Sequence, residues 1–246
     1  VLAGMLGIGG SIIMIPAMTL VFHGRAWDNQ HMFQAAAMVV NVAVAAPATI
    51  RHHRARAMQW DVVKILVPAT LVAMVAGVVL SNALRSSTLK VVFAVFLLWV
   101  GIDMAIRAAR RGKGPEPREA PVRVGPTAAT GGFMGFASGL LGIGGGIVAV
   151  PLLTRFCGLA VRRAIAASAA TMMVTAGFGA LMKMATLGQH GRSWREAVVV
   201  AMLLTPTALL GGYIGGGLTH TVPVRGLRAV LAIAILAAAA KMGGVW

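Results

Sequence analysis

The chain has 246 residues, of which 58% are hydrophobic and 11% charged, with a formal net charge of +16. A mean hydropathy of +0.84 and a charged fraction less than half the ~25% of soluble domains exclude an ordinary water-soluble fold and indicate an integral membrane protein. The basic residues stand in short clusters between apolar segments, the pattern of membrane loops, so the charge does not point to a nucleic-acid partner.

Apolar segments run over residues 1–22, 32–50, 60–81, 88–106, 126–156, 164–182, 196–219 and 226–246, most of them near the ~20 residues that cross a bilayer as helix. The first opens with a glycine knot, Gly4, Leu6, Gly7, Ile8, Gly9 and Gly10, followed by Ser11, Ile12 and Pro16. The same order and spacing return 135 positions later as Gly139, Leu141, Gly142, Ile143, Gly144, Gly145, Ile147 and Pro151, with Gly146 in the place of Ser11. The second copy has an apolar lead-in from Pro126 to Ala137 that Gly4 lacks, and the chain begins at Val1, so part of the first segment is expected to be missing. The opening has no basic n-region, and no cleavable signal peptide is expected.

The second segment carries Asn41 and ends at the run Arg51-His52-His53-Arg54-Ala55-Arg56, expected to be a solvated cytoplasmic loop rather than a metal site, because adjacent histidines diverge and their basic neighbours repel cations. The third opens at Trp60, an interface anchor by position. Its Ala73-xxx-Gly77 spacing suits close helix packing. In the fourth, Asp103 stands one turn before Arg107 and can pair with it at the membrane surface. Residues 107–124 form a basic, Pro-rich linker expected in the cytoplasm. It divides a first membrane repeat, 1–106, from a second, 125–246.

The fifth segment would make a straight helix of roughly 46 Å, against a hydrocarbon thickness of ~30 Å, and its knot falls in the middle. Glycine costs about 1 kcal/mol per residue inside a helix, so Gly142, Gly144, Gly145 and Gly146 together predict a break. Non-helical backbone at membrane depth is tolerated only inside protein or along a cavity, which predicts that both knots face the interior. The sixth segment places Thr171 and Thr175 one turn apart, with Thr175 corresponding to Asn41. Lys183 lies near its end and is expected to snorkel toward the interface, although it could attract an anion. His190 and His220 are expected in loops. Trp194 and Pro206 answer Trp60 and Pro68, and Gly211-xxx-Gly215 answers Ala73-xxx-Gly77. The glycines Gly77, Gly211, Gly212, Gly215 and Gly216 are assigned to packing. Cys157 is the single cysteine; it permits no internal disulfide and leaves the redox compartment undetermined.

The fold predicted is an all-α polytopic membrane protein of two four-segment repeats, each opening with a broken or re-entrant Gly-rich helix. Lys and Arg do not choose between parallel and inverted repeats. Inversion is favoured because it brings both knots to the midplane from opposite sides.

The doubled knot followed by proline, one copy per half, resembles the TauE/SafE sulfite-exporter family, also called the TSUP family, over nearly the whole chain. This chain departs from the pattern at Ser11, where the family tends to have a third glycine. The resemblance implies a transporter of small sulfur-containing anions such as sulfite, sulfoacetate or other sulfonates. It further implies a multi-pass protein of a bacterial inner membrane. Helix N-termini at the knots would offer free N–H groups and about half a positive charge to an anion. The substrate-binding residues expected are Gly7, Gly9, Gly10, Ser11, Gly142, Gly144, Gly145, Gly146, Asn41, Thr171 and Thr175. No enzyme activity, cofactor or metal is expected. The expected partners are a small anion and the lipid bilayer, with homo-oligomerisation left open.

All six acidic residues, Asp28, Asp61, Asp103, Glu116, Glu119 and Glu196, are placed in loops or at segment ends, which leaves no intramembrane carboxylate for a proton or sodium ion and favours export. The alternatives are a proton-coupled uptake permease for organosulfur anions and an intramembrane serine protease built on Ser138.

Overall fold

A computed structural model describes residues 10–24, 27–109, 122–218, 232, 233, 235–240 and 242. Gly7, Gly9, His220 and most of the linker lie outside the described residues. The helices are α1 (Ser11–Val21), α2 (Gln30–Arg54), α3 (Trp60–Ala83), α4 (Ser86–Ala109), α5 (Val124–Leu141), α6 (Gly146–Phe156), α7 (Val161–Thr186) and α8 (Trp194–Leu218), with a 3-10 turn at Leu187–His190. No strand occurs among the described residues. Among the described residues, five stretches are long and apolar enough to cross a membrane: Gln30–Arg54, Trp60–Ala83, Ser86–Asp103, Val161–His190 and Trp194–Gly211.

The protein is apolar on the outside as well as within. Val72 is 75% and Leu203 72% exposed, and Val79, Val95, Trp99 and Leu210 are also exposed on α3, α4 and α8. Such a surface is costly in water and suits contact with lipid. Trp60 and Trp194 open α3 and α8 and are half-exposed.

α2 is the central helix. Asn29 caps it in an extended conformation, its Oδ1 accepting from the Met32 N–H at 3.2 Å, which satisfies one of the donors left open in a first turn. From Gln30 to Met38 every residue is buried, as are Val40 and Asn41. α1, α4, α7 and α8 pack around it. The basic run expected as a loop is instead partly helical: α2 continues through Arg51, His52, His53 and Arg54. These residues do not break a helix, and positive charge in a last turn complements its dipole.

α3 and α5 form the tightest pair. Gly131, Gly135 and Gly139 repeat every four residues along α5, and a Cβ on Gly135 or Gly139 would overlap the carbonyl oxygen of Thr70 or Met74. One on Gly131 would lie 3.0 Å from the Leu66 oxygen, and Gly77 on α3 faces the Phe136 carbonyl in the same way. The two backbones are therefore in contact, as small residues at four-residue spacing allow. The packing role assigned to Gly77 holds. The same contact fixes the end of α5, where the glycine break begins, against α3.

Candidate substrate-binding site

The fifth apolar segment is two helices. α5 stops at Leu141, and Gly142 follows in the left-handed region at φ 73°, its N–H donating to the Ser138 carbonyl at 2.8 Å. Gly144 and Gly145 also have positive φ, at 70° and 77°, and α6 starts at Gly146. Three left-handed residues in four positions need glycine, because a Cβ there costs roughly 1–2 kcal/mol each. Leu141 to Gly146 are all buried, so the break lies inside protein, where its freed backbone groups can be satisfied. No side chain caps the N-terminus of α6, nor that of α1 at Gly10.

Asn41 links the start of α1 to the break. It lies eleven residues into α2, about 16 Å along the axis and near the middle of the helix. Its Nδ2 donates to the hydroxyl of Ser11, the first residue of α1. The break passes so close to the same amide nitrogen that a Cβ on Gly144 would stand 2.6 Å from Nδ2 and 3.3 Å from Met172 Cγ. Ser11, Asn41 and Gly144 thus meet at one place. Two buried polar atoms here have no hydrogen-bond partner among the described residues, Asn41 Oδ1 and Ser138 Oγ. Gly145 faces Met134, with 3.5 Å between its would-be Cβ and Met134 Cε.

Thr171 and Thr175 are buried on α7 but turn their hydroxyls back to their own helix, to Ala167 O at 2.8 Å and Met172 O at 3.4 Å. The structure therefore brings Ser11, Asn41 and Gly144 together, places Gly10 at the start of α1 and Gly142, Gly145 and Gly146 in the break before α6, and shows the two threonine hydroxyls bonded within α7. Ser138 is not hydrogen-bonded to a base, and the His190 ring stacks on His31 at 3.5 Å between centroids, so these residues form no nucleophile and base pair.

The sequence reading sent Lys183 toward the interface and kept attraction of an anion as the alternative. Lys183 does not reach the interface. It is 1% exposed, and its ammonium donates to Gln34 Oε1 at 2.7 Å and to Ser81 Oγ. Gln34 in turn donates from Nε2 to Leu140 O at 3.2 Å and packs under the break, where a Cβ on Gly142 would lie 2.6 Å from its own Cβ. His190 lies in the 3-10 turn rather than a loop. A spacing signal was available: Gln34, Met38 and Asn41 share one face of α2, and Thr171, Thr175, Gly179 and Lys183 repeat every four residues on α7. Between the Lys183 level and the Asn41 level, Gly179 faces the thioethers of Met38 and Met74, at 2.8 and 3.1 Å from its would-be Cβ.

The sequence profile of the family described as Sulfite exporter TauE/SafE matches residues 1–242. Among curated proteins, the chain is 29% identical to the probable membrane transporter protein MamO of Magnetospirillum gryphiswaldense, over 98% of this chain and 43% of that protein. It is 27% identical to MamO of Paramagnetospirillum magneticum, over 98% of this chain and 42% of that protein. It is 25% identical to the probable membrane transporter protein MJ0441 of Methanocaldococcus jannaschii, over 94% of this chain and 86% of that protein. The chain thus spans less than half the length of the two MamO proteins. No solved structure matches it.

Proposed function

The chain belongs to the sulfite exporter TauE/SafE family, a family of membrane transporters, and from that membership we propose that it carries small sulfur-containing anions, sulfite or a sulfonate such as sulfoacetate, across a bacterial inner membrane. The anion binds between the two glycine-rich helix starts near the bilayer midplane and is exported. The observation that carries this reading is the meeting of Ser11, Asn41 and Gly144 beside two helix N-termini that no side chain caps. Uncapped amides and the helix dipole favour an anion, and the orphan Ser138 hydroxyl can donate to one.

Direction follows from charge. An interior-negative potential favours exit by ~2.3 kcal/mol per unit of negative charge per 100 mV. Among the described acidic residues, Asp28 is held by Lys90 at 2.6 Å outside the helices, Asp61 and Glu196 lie in first turns, and Asp103 lies within α4 at the end of its apolar stretch. The buried His31 and half-buried His190 rings, each with a nitrogen lacking a partner, favour a second reading, proton-coupled uptake.

Flux in proteoliposomes across sulfite, sulfonates, sulfate and chloride tests the proposal. Sulfite or a sulfonate is expected to move fastest, and an inside-negative potential is expected to speed its efflux without a sodium or pH gradient. Equal rates for all four would remove the sulfur specificity. Efflux that ignores the potential and follows a pH gradient would establish the second reading.

A further inference from the structure

We propose that Lys183, with Gln34 and Ser81, forms a second anion station, separate from the glycine knots and one step along the same path. The inference rests on the reading of the protein as an anion transporter and adds to it the cationic residue that the knots lack.

Lys183 stands in α7 within a membrane span, 1% exposed. An ammonium taken out of water is costly unless paired, and buried cations in proteins normally meet a carboxylate. This one meets an amide oxygen and a hydroxyl oxygen, both neutral. None of the ion pairs among the described residues involves it. An ammonium has three donors, and the two acceptors leave one to spare. The surroundings add unsatisfied polar atoms in the same region. Lys183 is within electrostatic reach of His31 and His190. His31 Nε2 must donate to the Leu84 carbonyl at 3.2 Å, because a carbonyl only accepts. That leaves its Nδ1 without a partner, together with His190 Nε2 and Gln30 Nε2. A small oxyanion supplies what this cluster lacks: one negative charge for Lys183 and several acceptor oxygens for the free amide of Gln30 and the ammonium's open donor.

Placement gives the station a role. Gln34 accepts from Lys183 at one end of its amide and donates to Leu140, the residue before the last of α5, at the other. Seven residues further along α2, or about 10 Å, Asn41 contacts Ser11 and the break. Between the two levels Gly179 packs closely against the side chains of Met38 and Met74. Flexible thioethers at such a contact can yield. An anion held at Lys183 is thus one short step from the knots, and two weak sites in series allow entry without trapping.

The test is binding of radiolabelled sulfite to the full chain in lipid nanodiscs, alongside flux in liposomes. Lys183→Met keeps the length of the side chain and removes the charge; binding is expected to weaken by roughly 10- to 100-fold, the loss of a charge-assisted contact in a buried site. Lys183→Arg is expected to restore most of it. Gln34→Glu places the missing carboxylate beside Lys183, and is expected to leave a folded protein whose sulfite binding is weakened as in Lys183→Met, the knots alone remaining, which keeps the test open if Lys183→Met does not fold. Gly145→Val is expected to stop flux while binding at Lys183 survives. Normal sulfite binding in Lys183→Met, or in Gln34→Glu, would make Lys183 a structural residue and overturn the station. Wild-type protein that binds chloride or phosphate through Lys183 but neither binds nor moves any sulfur anion would overturn the substrate reading and leave the station standing.

Discussion

Alanine at Gly142 and at Gly145 separates strain from crowding within one loop. Both glycines have left-handed φ, 73° and 77°, so either substitution carries a backbone cost of about 1–2 kcal/mol. At Gly145 the new Cβ meets Met134 Cε at 3.5 Å, an ordinary contact with the end of a flexible side chain. At Gly142 it falls 2.6 Å from Gln34 Cβ, 2.7 Å from Cγ and 2.9 Å from Cα. Those atoms cannot retreat unless α2 moves, and overpacking of this kind adds typically ~1–3 kcal/mol. At ~2–4 °C per kcal/mol for a chain of this size, Gly145→Ala is expected to lower the apparent melting temperature by roughly 2–8 °C, and Gly142→Ala by several degrees more. The assay is fluorescence-detected size exclusion after heating, at one fixed heating time because membrane proteins unfold irreversibly. A Gly142→Ala protein as stable as Gly145→Ala would refute the argument that Gln34 is wedged beneath the break.

Two further outcomes follow from packing and topology. Gly135→Leu, which drives a side chain into the Thr70 carbonyl, is expected to separate α3 from α5 and abolish folded protein, whereas a leucine at the neighbouring Gly132, which faces open space, is expected to be tolerated; comparable yields of both would deny the backbone contact. A C-terminal alkaline phosphatase fusion is expected to be active in cells if the two repeats are inverted, and an inactive phosphatase with a fluorescent C-terminal green fluorescent fusion would favour parallel repeats.

The break at Gly142 to Gly145 was legible because its cause is local: glycines too dense for a helix in a segment too long for one span. The packing of Gly77 was legible for the same reason. The end of α2 was not, since Arg51 to Arg54 are polar enough to suggest a loop yet contain nothing that stops a helix, and Pro47 earlier in α2 did not end it either. Lys183 was misplaced because its partners come from elsewhere in the chain. Gln34 is 149 positions away and Ser81 102, so a reading of each segment against the bilayer sees a lysine near an end and sends it to the surface. α7 in fact continues to Thr186 and runs into the 3-10 turn, which puts Lys183 inside the helix and facing two other helices. Asn41 was noticed as polar, but that its amide would join Ser11 of one knot to Gly144 of the other is a tertiary fact that no spacing contains.

The central claim is that the two glycine-rich helix starts form the transport site. It is tested most directly by sulfite efflux from proteoliposomes containing wild type, Gly10→Val or Gly145→Val, each reconstituted as folded protein at equal density. Valine at Gly145 places a branched side chain at φ 77° where an anion must approach the amides, and at Gly10 it crowds Met14 Sδ, 3.1 Å from the would-be Cβ. The account predicts efflux in the wild type and its loss by about tenfold or more in both variants, the equivalent of one or two contacts to a charged ligand. Wild-type rates in both would contradict it and place the path elsewhere in the protein.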